Sequence, residues 1–127
     1  MLAIDEFKKV NDGYAHYVGD HVLVEVAKVL RNQSQGHNFA RLGGEEFALV
    51  AQLTDVGAAQ ELARGIVLAV SSSRVFNFSL SISVGLADHK TGESISSLMR
   101  RADQAVYEAK NAGKNGYAMA GQALLGA

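Results

Sequence analysis

Residues Arg41 to Val50 set two glycines and two carboxylates, Gly43-Gly44-Glu45-Glu46, at the head of an apolar run, Phe47-Ala48-Leu49-Val50. Glycine takes backbone angles closed to other residues and lets a bulky ligand approach the main chain. Adjacent carboxylates supply hard oxygen ligands for a divalent cation. An ordinary polar turn uses the same letters, with Gly-Gly making the reversal and Glu-Glu keeping it solvated. On these residues alone both uses stand.

The elements that must position this turn follow from the hydrophobic pattern. Met1 to Ile4 reads as the end of a short buried strand. Gly19-Asp20 opens a helix from about His21 to Arg31, with Val22, Leu23, Val26, Ala27, Val29 and Leu30 giving broad apolar coverage. A strand near Phe39 to Leu42, the Gly-Gly turn and a strand near Phe47 to Leu53 form a hairpin. Thr54 can cap a helix from about Val56 to Val70, where Ala59, Leu62, Ala63, Ile66 and Val70 recur at helical spacing.

Phe76 to Val84 alternates apolar and small polar residues without a break, which predicts a strand with one strongly apolar face. Its other face carries serines instead of charges, so a neighbouring element is expected to cover it. A last helix runs from about Ser96 to Ala112, with Gly113 as its stop and a short edge strand after Gly116. The tail over 118–127 is expected to fray. Helices separated by strands give an α/β sandwich with a mixed, mainly antiparallel sheet flanked by helices.

The 127 residues suit one domain, and 48% hydrophobic content with 20% charge is ordinary for a globular protein. A net charge of −1 argues against general nucleic-acid binding, which needs a basic face. Without cysteine there is neither a disulfide framework nor a thiolate metal site. No apolar stretch is long enough to span a bilayer, and the N-terminus lacks a secretory pattern, so a cytoplasmic domain without membrane contact is expected.

Five blocks then carry a resemblance. They are Phe7-Lys8-Lys9-Val10-Asn11-Asp12, His16-Tyr17-Val18-Gly19-Asp20, Arg41 to Phe47, Ser81-Ile82-Ser83-Val84-Gly85, and Ala102 to Asn115. In this order they resemble the successive signatures of the GGDEF domain of diguanylate cyclases, over residues 3 to about 117. The resemblance implies a palm-like, nucleotidyl-cyclase fold. It also implies a homodimer condensing two GTP molecules into cyclic di-GMP with Mg2+ or Mn2+, and an upstream sensor or receiver domain.

By resemblance, Glu46 is a metal ligand and Glu45 an acid close to the reacting hydroxyl, so both are catalytic candidates. Phe7, Lys8, Asn11, His16, Asp20, Gly43, Gly44, Lys110 and Lys114 are the implied substrate-binding set. Asn11 and Asp20 fit guanine, because an amide offers donor and acceptor and a carboxylate accepts from the ring N–H and the exocyclic amine. Read without the resemblance, Asn11 is a turn residue, Asp20 a helix cap, and the two lysines complement a helix dipole.

Three departures qualify the match. Where the family writes Asp-x-Asp-x-Phe-Lys, this chain has Ala3-Ile4-Asp5-Glu6-Phe7-Lys8, so Ala3 replaces the leading metal ligand. The Ile4 carbonyl is left for an ion, and Asp5, on the same face if the strand continues, is the candidate substitute. The sequence starts inside the first strand, where the family has helical residues ahead of it, so an upstream segment or a partner covering that strand is expected. Ser34-Gln35-Gly36-His37 replaces an Arg-x-x-Asp inhibitory site, so no inhibitory product site is expected. Two readings follow: a diguanylate cyclase, and a catalytically degenerate GGDEF module that binds GTP or serves regulation or interaction.

Overall fold

The computed structural model describes residues 1–53 and 55–121, apart from the His16 side chain. The element order is β1 (Leu2–Ile4), α1 (Phe7–Gly13), α2 (His16–Ser34), β2 (Asn38–Gly43), β3 (Glu46–Val50), α3 (Val56–Ser71), β4 (Ile82–Leu86), α4 (Ile95–Asn111) and β5 (Gly116–Met119). The strands form one five-stranded sheet in the order β2-β3-β1-β4-β5. All neighbours are antiparallel except β4 and β5, which are parallel. The mixed, mainly antiparallel α/β sandwich is the fold expected from the pattern.

The main core lies between one sheet face and two helices. Leu2, Ile4, Phe47, Ile82 and Val84 meet Val22, Val26 and Leu30 of α2 and Ala63, Ile66 and Val70 of α3. The opposite face of β4 carries the serines, and α4 covers it there, leaving Ser83 fully buried. That approach depends on Gly85. A methyl group at this position would sit 2.2 Å from the Ala102 carbonyl oxygen and 2.4 Å from the Val106 nitrogen. Ala105, Ala109 and Ala118 fill the same close-packed layer with small side chains.

Several expectations change. The strand predicted over Phe76 to Val84 begins only at Ile82. Upstream of it the chain bends, Phe76 and Phe78 stack at 5.1 Å, and Phe78 meets Tyr14 at 4.9 Å. Alternation persists without a strand because these rings bury themselves against the core edge instead of pairing in the ladder. Helix α2 starts at His16 and not near His21, so Gly19 and Asp20 lie inside it. Ala15 occupies the cap position, which removes the capping role read for Asp20.

Thr54, read as a cap, lies outside the described residues. Asp55 caps α3 by accepting the Ala58 N–H at 2.8 Å. The fraying expected from 118 onward does not apply to Ala118 and Met119, which are buried in edge strand β5. Residues 122–127 of that expected tail lie outside the described residues. Helix α1, with Phe7 and Val10 in the core, was not expected at all.

Candidate functional site

The chemistry-bearing residues gather at one end of the sheet, where β1 finishes and β3 begins. Ala3 pairs with Glu46 on one side and with Ser83 on the other. The Ile4 N–H donates to the Glu45 carbonyl at 3.1 Å, which ties the acidic turn to the last residue of β1. Directly opposed residues of an antiparallel pair share a face. A methyl group therefore stands beside Glu46 where the resemblance expects a second carboxylate.

Gly43 and Gly44 have φ of +147° and +52°, and a Cβ at either would meet no atom within 4 Å. Positive φ and open space together leave the main chain of this turn accessible. Arg41 holds the turn in shape: its Nε and Nη2 both donate to the Gly44 carbonyl, at 3.0 and 2.9 Å. The sequence reading gave Arg41 no role. Its place two residues before the glycines was the available signal.

On the flank, α1 and α2 bring Asn11 against Gly19, the residue before Asp20. A Cβ on Gly19 would lie 2.0 Å from Asn11 Oδ1 and 3.5 Å from the edge of the Phe7 ring. Asn11 thus rests in the gap left by glycine, one residue from the exposed Asp20, while Phe7 is buried beneath. Lys8 is exposed on α1. His16 opens α2, and its side chain lies outside the described residues.

The basic corner comes from the end of α4. The Gly113 N–H donates to Lys110 O and the Lys114 N–H to Ala109 O, the two bonds of a Schellman stop. Lys110 is half-buried in the last turn, and Lys114 projects to an ion pair with Glu6. Glu6 also pairs with Lys9 at 2.8 Å. The Lys114 and Lys9 ammonium groups hold the Glu6 carboxyl down at about 2, and Glu6 in turn raises Lys114.

Asp5 does not extend β1 as an open ligand. Its carboxylate is 4% exposed and accepts from Ser81 Oγ at 2.7 Å, Ser83 Oγ at 2.6 Å and the Asn115 N–H at 3.0 Å. Three of its roughly four lone-pair directions are spent. The carboxylate expected as a substitute for the ligand missing at Ala3 is thus one that already accepts three hydrogen bonds. The same bonds place Lys114, next to Asn115, and Glu46, opposite Ala3, at one end of the sheet.

Among the described residues no group of three or more His, Asp or Glu side chains is arranged to hold a metal ion. Glu46 is an exposed carboxylate, Ala3 contributes a methyl, and Asp5 already accepts three hydrogen bonds. This donor set does not fit a resident pair of Mg2+ or Mn2+ ions. A groove of about 710 Å3 lies at the other end of β1, lined by apolar residues such as Leu49, Leu86 and Met99. It is remote from the acidic turn. No helix among the described residues is long and apolar enough to cross a membrane.

Residues 1–116 match the family described as diguanylate cyclase, GGDEF domain. The chain is 38% identical over 117 residues to the diguanylate cyclase DgcM of Escherichia coli (strain K12), covering 91% of this chain and 28% of that protein. It superposes on the active GGEEF domain of a diguanylate cyclase from Vibrio cholerae with a TM-score of 0.87 and 35% identity, over 96% of this chain and 81% of that one. The GGDEF domain of DgcB from Caulobacter crescentus, solved in complex with c-di-GMP, gives 0.86 and 36%, over 95% and 73%. The chain spans about a fifth to a third of the length of the first curated relatives it matches.

Proposed function

The chain belongs to the GGDEF family of diguanylate cyclase domains, and from that premise we propose that it is a GTP-binding module of a signalling protein whose cation site is one carboxylate short. The observation that carries this reading is Ala3 facing Glu46 while the neighbouring Asp5 is nearly buried and accepts three hydrogen bonds. Turnover to cyclic di-GMP is then slow or absent, and binding is the retained property.

In this reading Asn11 and Asp20 take the guanine edge. The amide donates and accepts, and the carboxylate receives the ring N–H and the exocyclic amine, a pattern that adenine does not present. The open Gly43-Gly44 backbone, held by Arg41, packs against the nucleotide. Lys110 and Lys114 meet the terminal phosphates, with Lys114 exchanging Glu6 for a phosphate oxygen. Glu45 lies beside the sugar hydroxyl and Glu46 offers an exposed carboxylate at the sheet end.

The second reading is a working cyclase that pairs two copies head to tail around two GTP molecules. The intact Gly-Gly-Glu-Glu-Phe turn favours it, since the Vibrio cholerae domain with that turn is described as active. One experiment separates the two: incubate the chain and Ala3→Asp with GTP and Mg2+, measuring GTP affinity and cyclic dinucleotide. GTP affinity without product in the unmodified chain, with product from Ala3→Asp, supports the binding module. Product from both supports the cyclase, and absence of GTP binding removes both readings.

A further inference from the structure

We infer that Asp5 is a positioning residue for the lysine that meets the triphosphate: its buried carboxylate pins the Lys114–Asn115 turn to the end of β1 and so fixes where Lys114 projects. The inference rests on the reading of Lys114 as a phosphate contact given above. It adds a residue whose own oxygens touch no nucleotide.

The chain leaves α4 by a stop that already satisfies the helix-end carbonyls through Gly113 and Lys114. Nothing in that motif dictates the next residue. Yet Lys114 and Asn115 both hold positive φ, 62° and 48°, and neither is glycine. Left-handed backbone is costly at Lys114 and milder at Asn115, a residue type that visits it more readily, and it persists where surrounding contacts over-determine it. The contact that does so for Asn115 is its N–H donating to Asp5 Oδ2 at 3.0 Å.

Asp5 is itself immobile. Ser83 Oγ and Ser81 Oγ bind its two oxygens from β4 and the residue just before it, at 2.6 and 2.7 Å, and its own N–H donates to Ser81 O at 3.0 Å. A nearly buried carboxylate is tolerated only when donors satisfy it, and bonds to an ionised acceptor are the stronger kind. The charge thus reaches from the sheet interior to a backbone N–H adjacent to Lys114. Three sequence-distant segments, around residues 5, 82 and 115, are fastened at one oxygen pair.

A plain structural brace would weaken every ligand alike, whereas a positioning role weakens the triphosphate selectively. The test titrates GTP and GMP into the full chain, Asp5→Asn, Lys114→Met and the double variant. Asp5→Asn removes the charge and leaves one acceptor oxygen where two now serve Ser81 Oγ, Ser83 Oγ and the Asn115 N–H, the other position becoming an amide NH2 donor. The expected result is a roughly tenfold loss of GTP affinity with GMP affinity within about twofold. The same loss is expected for Lys114→Met, with no further loss in the double variant.

Equal loss of GTP and GMP overturns the inference, as does unchanged GTP affinity in Asp5→Asn where Lys114→Met is weakened. Unchanged GTP affinity in Lys114→Met overturns the reading of Lys114 itself, and the inference with it. Amide exchange on the unmodified chain is independent of how well Asp5→Asn folds. A protected Asn115 amide supports the clamp, and an unprotected one overturns it.

Discussion

Ala3 and Glu46 are direct cross-strand partners in the β1–β3 ladder, and Ala3 is only 6% exposed. An added carboxylate at position 3 would enter a nearly dry site beside an existing acid. Like charges directly opposite one another on a sheet are destabilising. Ala3→Asp should therefore lower stability by roughly 1–3 kcal/mol in metal-free buffer. Mg2+ should restore the loss, because binding to the folded state alone stabilises it. The unmodified chain should melt at the same temperature with and without Mg2+. Thermal melts of both proteins in chelator and in Mg2+ check this, and an Mg2+-insensitive variant would count against the placement of the ligand.

Gly19→Ala tests the corner of Asn11 and Asp20, proposed to read guanine. Alanine is favoured over glycine inside a helix by about 1 kcal/mol, so α2 alone would gain. The new methyl collides with Asn11 Oδ1, the end of a flexible side chain, and meets only ordinary contact with Phe7. Asn11 should yield, leaving the fold intact. Stability should stay level or rise slightly, while the preference for GTP over ATP falls roughly tenfold, the worth of one good hydrogen-bonding contact. Denaturant melts alongside competitive nucleotide titrations give both numbers.

Glu6→Gln should strengthen GTP binding a few-fold at low salt, since Lys114 no longer leaves an ion pair to reach a phosphate. The gain should shrink as salt is added, because the pair is exposed and screened. Its pH dependence follows from the Glu6 carboxyl being held at about 2 against an ordinary 4.5. A depressed carboxyl contributes stability that is present above about 4.5 and lost as the pH falls through about 2. Glu6 stays ionised from pH 5 to 8, so the affinity ratio of variant to parent should be flat there. A ratio that changes across that range would show that another group governs the contact.

Gly85→Ala should be the most damaging single methyl in the chain. Its neighbours are main-chain atoms of α4 at 2.2 and 2.4 Å, which cannot swing aside as a side-chain end can. Moving a whole helix off the serine face should cost roughly 3 kcal/mol or more. Urea unfolding measures it. A loss below about 1 kcal/mol would mean that α4 is not seated there.

The layers of the fold were legible because each has a period: Val22, Val26 and Leu30 at helical spacing, and Ile82 to Val84 in alternation. Where the reading failed, a tertiary contact overrode a local preference. Gly19 sits inside a helix that its propensity argues against, because only glycine leaves room for Asn11. Phe76 and Phe78 keep strand-like alternation while stacking on each other. Helix α1 is short and ends in Asn, Asp and Gly, so its turn letters masked it.

In the site, residues with a local signature were legible, such as Gly43, Gly44 and Glu46. The partners of Asp5 were not, because Ser81, Ser83 and Asn115 lie 76 to 110 residues away and serine in a strand carries no signal of its own. The Glu6–Lys114 pair is hidden for the same reason, with 108 residues between its members.

The last strand hangs on the sheet through a single parallel neighbour, β4, and through the Asn115 tether. Peeling that strand away would carry Lys114 off with it. If Lys114 meets a triphosphate as proposed, docking of the 116–119 strand and capture of that ligand are thermodynamically linked, each favouring the other by the same factor. Occupancy should be felt as resistance of the 116–119 edge to proteases, at a distance from any atom the nucleotide touches.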